Sequence, residues 1–265
     1  MAALAGLLAM SAAWAQEACP VIAPITRLES APIYLDRQGS VPDKQVEQAN
    51  ERGVAGLRSL YEAMGRAADG RDPAGCARQL ERAWAKADAL MAKPATGAGD
   101  VERVMAAVAL NGLAVRARAG GAPVDPEVTA WLGRLTAKVR AAYSRDSLAG
   151  TPYYRNNVFF WSGVAQGLHA AASGDASFRA SSDQVWRDAM ERIDADGYVA
   201  PELARAGRSL IYHQFALSAL LVLRATREAL GLPIPERDEE RLSRLAATIG
   251  RGRCDSSEFD RRSAS

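Results

Sequence analysis

The chain has 265 residues, of which 48% are hydrophobic and 24% are charged, and its formal net charge is +2. This is an ordinary globular composition, and the length suits one large domain or at most two. A net charge so close to zero gives no electrostatic reason to expect nucleic acid as a partner, although it leaves room for a local basic groove that takes an acidic polymer.

The N-terminus has the features of an export signal. Residues 4–10 form a short apolar run, and residues 13–15 read Ala-Trp-Ala, with small side chains where signal peptidase requires them. The run is far shorter than the roughly 20 residues that a membrane span needs. We therefore predict a cleaved signal peptide over 1–15, a mature chain that begins near Gln16, and a periplasmic or secreted protein without a membrane segment. The alternative is a disordered apolar N-terminus.

The mature chain begins with an arm and continues as helices. Residues 16–45 are rich in proline and turn formers, which predicts an extended arm. Beyond the arm, apolar residues recur every three or four positions, as in amphipathic helices. The predicted helices cover approximately 46–68, 72–91, 100–119, 125–139, 157–172, 177–193, 208–230 and 236–249.

The connections between these helices indicate the fold class. They are short and contain glycine, proline and polar residues, and no stretch alternates apolar and polar residues as a half-buried strand does. Helices of about 15–20 residues with short connections favour antiparallel pairs. We predict an all-α protein with one domain over 16–250, in which helical hairpins form a layered or toroidal arrangement.

The number and spacing of the cysteine and histidine residues limit the disulfides and metal sites that the chain can form. Cys19, Cys76 and Cys254 allow three single disulfides, and the sequence alone does not choose among them. No two cysteines have zinc-site spacing, and with only His169 and His213 a histidine-rich metal site is excluded. The general phosphate-loop, serine-elbow and zinc-hydrolase motifs are absent. We predict neither a metal nor a cofactor.

Two segments carry more aromatic, cationic and amide side chains than a helical scaffold requires. They are 151–161, TPYYRNNVFFW, and 198–215, YVAPELARAGRSLIYHQF. Tyr212 follows Arg205 by two helical turns, so on a continuous helix both side chains point the same way, although a glycine lies between them. The alternative is structural: Asn156 caps a helix, the aromatic residues fill the core and the arginines are solvated.

The two segments resemble a known family. NNVFFW resembles the NNHxYW element of the mannuronate-type alginate lyases, and DADGYVAPELARAGRSLIYHQFAL resembles the DxxGxLPxEL…R…AxxYHxxxL element that follows it in that family. The spacing between the elements is also similar, and weaker similarity extends upstream to residues 17–20. The resemblance spans most of the mature chain and implies an α/α-toroid fold.

The resemblance implies a metal-independent β-elimination on a 1,4-linked polyuronate. The proton at C5 of a uronate is removed, the sugar bonded at O4 leaves, and a 4,5-unsaturated sugar remains. The enzyme must neutralise the uronate carboxylate, supply a base and protonate the leaving oxygen. Matched position by position, Tyr212 is the implied catalytic tyrosine, while Asn157 and Arg205 are the implied carboxylate-binding residues.

Further residues are implied to contact the substrate. These candidates are Tyr34, Asn156, Tyr154, Trp161, Arg208 and His213. Tyr34 corresponds to a tyrosine on a lid loop of the family, whereas Tyr154 and Trp161 offer faces for stacking on sugars. For Trp161 a place in the core is an equal alternative, and His169 is expected to be structural.

The chain departs from the family pattern at two places. Val158 occupies the position of the family histidine, and valine neither donates a hydrogen bond nor takes a proton. Loss of such a donor costs about 10²–10³ in rate, so Tyr212 would have to transfer protons alone in a syn elimination, which favours mannuronate- or glucuronate-type substrates. Relatives continue past the eighth helix with more helical sequence, whereas residues 251–265 here are polar and charged, which predicts a short C-terminus with a disordered tail and an incomplete α/α toroid. The resemblance also implies a Cys19–Cys76 disulfide, with Cys254 free in that tail.

Three interpretations follow for the function. The first is a monomeric periplasmic lyase whose partner is an acidic polysaccharide. The second is a catalytically silent relative that binds polysaccharide, as Val158 and the short C-terminus suggest. The third is the unstable product of a damaged gene.

Overall fold

The computed structural model describes residues 19–36, 41–72, 75–94, 96–121, 125–144 and 156–263. In these ranges the regular structure is helical, without strands and with two isolated β-bridges, so the predicted all-α fold class is confirmed. No helix within the described ranges combines the length and hydropathy that a bilayer crossing requires. The predicted signal peptide, 1–15, lies outside the described residues.

The observed helices follow the predicted ones closely. They are α1 (Lys44–Gly53), α2 (Ala55–Ala68), α3 (Cys76–Lys86), α4 (Gly97–Ala119), α5 (Pro126–Ala142), α6 (Asn157–Ser173), α7 (Ala176–Met190), α8 (Ala200–Leu203), α9 (Ser209–Ala229), α10 (Glu236–Cys254) and α11 (Ser257–Ser263). The helix predicted over 46–68 is divided at Val54, and the one predicted over 72–91 is shorter. Its end at Lys86 is followed by left-handed residues at Asp88 and Leu90, which turn the chain.

Side-chain caps fix the starts of several helices. The carboxylates of Asp43, Asp125 and Asp175 and the amide oxygen of Asn156 each accept two backbone N–H groups in the first turn of α1, α5, α7 and α6. Each cap of this kind contributes about 1 kcal/mol. The helices begin at these positions because the N–H groups of their first turns, which have no acceptor within the helix, donate to these side chains.

The hydrophobic core consists of two clusters that share α6. The first cluster lies among α2, α3, α4 and α5, and the second among α6, α7, α9 and α10. Helix α6 packs against α4 and α5 with one side and against α7 and α9 with the other. Gly163 of α6 lies so close to α7 that a Cβ there would be 2.5 Å from Val185 Cγ1. The fully buried tryptophans Trp84 and Trp131 belong to the first cluster and Trp186 to the second.

The N-terminal arm crosses the first cluster. A disulfide joins Cys19 to Cys76 at the start of α3, and Cys254 is free and exposed, as the resemblance implied. The Leu90 N–H donates to the Ile25 carbonyl at 2.8 Å, which holds the middle of the arm. Further along, the side chain of Asn50 exchanges two hydrogen bonds with the backbone of Ala31, at 2.8 and 2.9 Å. These contacts bring the end of the arm to α9.

The predicted disorder of residues 251–265 is wrong for the residues described. Helix α10 continues to Cys254, and α11 follows it. Phe259 of α11 is 2% exposed and packs edge-to-face on Tyr198 and His213, with ring centroids 5.1 and 5.0 Å away. A single buried aromatic residue orders this polar segment, and acidic residues in its first turn with arginines in its last turn complement the helix dipole. The average composition of residues 251–265 did not indicate this ordered helix.

Candidate active site

A short irregular segment between α7 and α9 carries the two arginines of the second motif. It includes α8 and a 3-10 turn at Ala206–Arg208. Ala206 has φ of 48°, in the left-handed region that a residue with a Cβ enters only at a cost of about 1 kcal/mol. Such strained residues gather at functional sites. The turn ends the irregular segment and lets α9 begin at Ser209, so Arg205 precedes the helix that carries Tyr212.

Tyr212 lies under both guanidinium groups. The Cζ atom of Arg205 is 4.5 Å from the centre of the Tyr212 ring, and that of Arg208 is 5.6 Å away. The expectation that Arg205 and Tyr212 lie together therefore holds geometrically, although the helix between them is not continuous. Tyr212 is 8% exposed. Its ring thus has cationic partners within the distance at which they interact favourably with an aromatic face.

The arm adds a second tyrosine to this group. The hydroxyl oxygens of Tyr34 and Tyr212 are 2.5 Å apart, and Arg208 Nη1 donates to the Tyr34 hydroxyl at 3.0 Å. Burial raises the pKa of Tyr212, as does its hydrogen bond with Tyr34, while the charges of Arg205 and Arg208 lower it. The net effect holds the pKa of Tyr212 above its ordinary value, and the two arginines offset part of the rise that burial causes.

Asn157 is positioned by a residue that the sequence analysis missed. Both its backbone N–H and its Nδ2 donate to Oε1 of Glu202 in α8, at 2.6 and 2.9 Å. Glu202 is entirely buried, and its Oε2 lies 4.0 Å from Nε of Arg205. One carboxyl group thus stands between the two predicted carboxylate-binding residues. The available signal was that Glu202 is the single acidic residue in the segment 198–215.

The other candidates divide into two groups. Asn156 caps α6 through contacts with the Val158 and Phe159 N–H groups, so its side-chain oxygen serves the fold. Trp161 is half-buried and packs against both core clusters, in agreement with the core alternative. Tyr154 lies outside the described residues. Val158, in the first turn of α6, is half-buried against the first cluster.

His213 was predicted to contact the substrate, and the structure places it elsewhere. It is entirely buried, its Nε2 accepts from the Val199 N–H at 3.0 Å, and its Nδ1 donates to the Ser209 carbonyl at 2.8 Å. Burial lowers the pKa of His213 to about 4, so the ring is neutral. Both nitrogens are occupied by backbone groups, and the residue therefore holds the turn before α9 rather than a ligand.

His169 is also structural, as predicted. It is buried, and its Nδ1 is hydrogen-bonded to the side chain of Asn111, which in turn donates to Thr136. Among the residues with a described placement, no three histidine, cysteine, aspartate or glutamate side chains are grouped as metal ligands.

The curated proteins similar to this chain are lyases with about a quarter of their aligned residues identical to it. An alginate lyase of Pseudomonas aeruginosa is 27% identical over an alignment of 218 residues that covers 79% of this chain and 57% of that protein. A polysaccharide lyase of Stenotrophomonas maltophilia is 27% identical over 275 residues, covering 98% of this chain and 80% of that protein. The chain thus spans little more than half the length of the Pseudomonas relative.

Solved structures of the alginate lyase A1-III have the same architecture. The enzyme from Sphingomonas species A1 superposes with a TM-score of 0.67 at 17% identity, covering 92% of this chain and 70% of that chain. A variant complexed with a tetrasaccharide gives a TM-score of 0.71 at 18% identity, covering 94% and 71%. These matches confirm the toroidal arrangement of helical hairpins. The family model described as alginate lyase matches residues 22–259, and the chain therefore belongs to the alginate lyase family.

Proposed function

We propose that this protein is a lyase that cleaves a 1,4-linked polyuronate, of mannuronate or glucuronate type, by β-elimination after export from the cytoplasm. The observation that carries the proposal is the position of the Tyr212 phenol beneath the guanidinium groups of Arg205 and Arg208. Membership of the alginate lyase family supports an acidic polysaccharide as the substrate.

The chemistry requires one proton-transferring group and a neutralised carboxylate. The Tyr212 phenolate takes the proton from C5, the C4–O4 bond breaks as the C4=C5 double bond forms, and the same phenol returns the proton to O4 of the leaving sugar. Negative charge that develops on the C5 carboxylate is stabilised by Arg205, whose planar fork suits a carboxylate, and by the amide of Asn157. The syn arrangement of proton and leaving group lets one tyrosine serve both steps.

The test is the ultraviolet absorbance of the unsaturated uronate product. Mature protein is mixed with polymannuronate, polyguluronate, polyglucuronate and hyaluronan, and the Tyr212→Phe variant is the control. A tyrosine-dependent rise on one polymer establishes the lyase and identifies its substrate. No rise on any polymer, from a protein that is folded, contradicts the proposal.

A second function is a protein that binds acidic polysaccharide without cleaving it. It is favoured by one observation, the half-buried aliphatic side chain of Val158 at the position of the family histidine. Calorimetry on the same polymers separates the two functions, because this protein would bind without forming product. Val158→His is the decisive variant: it should raise the cleavage rate by a factor of roughly 10²–10³ if the site is inactive because this hydrogen-bond donor is missing.

A further inference from the structure

The carboxyl group of Glu202, in α8, accepts a hydrogen bond from the first turn of a different helix, α6. The first N–H groups of a helix have no acceptor within the helix. In α6, Asn156 accepts from the Val158 and Phe159 N–H groups, whereas the Asn157 N–H is left to Glu202 at 2.6 Å. A carboxyl group is a favourable acceptor here, because the N-terminus of a helix carries positive potential. Glu202 therefore fixes the backbone of Asn157.

Capping alone does not account for this carboxyl group. Its Oε1 also accepts from Asn157 Nδ2 at 2.9 Å, which fixes the amide as well as the backbone. Its Oε2 faces Arg205 Nε at 4.0 Å and has no hydrogen-bond partner among the described residues. A buried carboxyl oxygen without a hydrogen bond is costly, and capping the helix does not require it.

On the basis of the proposed function, we propose that Glu202 is a positioning residue that sets Asn157 and Arg205 so that both donors converge on one substrate carboxylate. With one amide proton of Asn157 Nδ2 held by Glu202, the other remains available to a ligand. Arg205 is held between Glu202 and the face of the Tyr212 ring, at 4.5 Å from the ring centre.

The protonation of Glu202 is consistent with this arrangement. Burial raises the pKa of Glu202, while the hydrogen bonds from Asn157 and the charge of Arg205 lower it. Burial has the larger effect, and the charge of Arg205 offsets part of it by favouring the carboxylate.

The experiment compares Glu202→Gln and Glu202→Ala with a matched control, Asp238→Asn. Asp238 is also buried, accepts one hydrogen bond, from Trp186 Nε1 at 2.8 Å, and has a second oxygen without a hydrogen-bond partner. We expect Glu202→Gln to lower kcat on polymannuronate by roughly tenfold or more with KM changed by less than about threefold, because the donors act mainly on the transition state. The kcat of Glu202→Ala should fall further. The kcat of Asp238→Asn should fall by less than about twofold at temperatures well below the melting point of that variant.

A double variant tests whether Glu202 acts through its neighbour. If it does, the loss in kcat that Glu202→Gln causes should shrink to about threefold or less in an Asn157→Ala background, since contacting residues are not additive. An undiminished loss, or a Glu202→Gln variant with wild-type kcat, overturns the proposal.

The proposal and the lyase activity can fail separately. If the wild type cleaves no polymer, the lyase proposal fails, and Glu202 is then tested by calorimetry with a mannuronate tetrasaccharide. Binding weakened by about fivefold or more in Glu202→Gln but not in Asp238→Asn supports the positioning role. Equal affinity in all three proteins overturns it, and no binding by the wild type overturns both.

Discussion

The hydroxyls of Tyr34 and Tyr212 meet at 2.5 Å although 178 positions separate them in the chain. Arg208 contacts both, through a hydrogen bond to Tyr34 and through the face of the Tyr212 ring. The end of the N-terminal arm is thus tied to α9 by a tyrosine pair beneath one guanidinium group. This relationship joins a residue of the arm to the implied catalytic tyrosine.

Removing the arm hydroxyl should weaken catalysis without abolishing it. Tyr34→Phe deletes the hydrogen bonds with Tyr212 and Arg208, and a hydrogen bond contributes about 1 kcal/mol, so kcat/KM on the substrate polymer should fall roughly five- to tenfold. Tyr212→Phe should leave no measurable activity. Equal loss in both variants would show that the two hydroxyls have the same role, contrary to this expectation.

The charge of Arg208 should affect the pH dependence of the proposed lyase reaction. Because this charge lowers the pKa of Tyr212, its removal in Arg208→Ala raises that pKa. The reaction needs the phenolate, so the limb of the pH profile of kcat/KM that rises with pH should move to higher pH. Arg208→Lys retains a charge and should move the limb less. The measurement is the pH–rate profile of the three proteins, and a limb at an unchanged pH argues against Tyr212 as the base.

His213 should make the stability of the fold depend on pH. Its pKa in the folded protein is about 4, below the ordinary value of 6.5, so between these values the unfolded chain binds a proton that the folded one does not. The free energy of unfolding should therefore fall as pH decreases from 6.5 towards 4, by up to about 3 kcal/mol from this residue. Urea titrations at a series of pH values give the slope.

The control for this prediction is His213→Gln, which cannot titrate and should flatten the slope over that range. Some slope should remain, because burial also lowers the pKa of His169. An equally steep slope in the variant would assign the effect to other groups.

Phe259 should contribute strongly to stability. It is 2% exposed, and Phe259→Ala should cost about 3–5 kcal/mol because it leaves a cavity beside Tyr198 and His213. Phe215 is the matched control: it is 42% exposed, so Phe215→Ala should cost far less. Thermal denaturation followed by circular dichroism measures both. Similar melting points for Phe259→Ala and the wild type would restore the interpretation of 251–265 as a disordered tail.

The Cys19–Cys76 disulfide closes a loop with a sequence separation of 57 residues. On the chain-entropy model a loop of this length is worth about 4 kcal/mol, so Cys19→Ser paired with Cys76→Ser should lower the free energy of unfolding by up to that amount. Cys254→Ser should have no effect, since Cys254 is exposed and unbridged. Denaturant titrations of the wild type, the double variant and Cys254→Ser, all without reductant, measure these differences in the free energy of unfolding.

The helices and the central site residues were predictable because their signals are local. Apolar periodicity locates most of the helices to within a few residues, and the resemblance of the two segments to the family elements gives Asn157, Arg205 and Tyr212 as candidates. The structure brings Arg205 to the Tyr212 ring and links Asn157 to Arg205 through Glu202. Sequence reasoning could not show that link, because a glutamate in a connection between predicted helices is usually solvated, and only the tertiary fold buries this one.

The errors at His213 and in the tail have one physical origin. His213 adjoins Tyr212 in sequence, but successive residues of a helix point in directions about 100° apart, so its neighbour reaches the site while it enters the core. Phe259 meets it there, at 5.0 Å between ring centroids. The role of His213 was inferred from its neighbour in sequence and that of the tail from composition, whereas the contact between His213 and Phe259 explains why both are buried.

The position of α6 between the two core clusters has a consequence for how the molecule loses its structure. Because one helix supplies side chains to both clusters, neither cluster can come apart while the other keeps all of its partners. Unfolding of the described region should be a single all-or-none transition, with tryptophan fluorescence and helical signal changing together. The tyrosine pair, which joins the N-terminal arm to α9, should be lost in that same transition, so that the assembled site is present only in the fully folded chain.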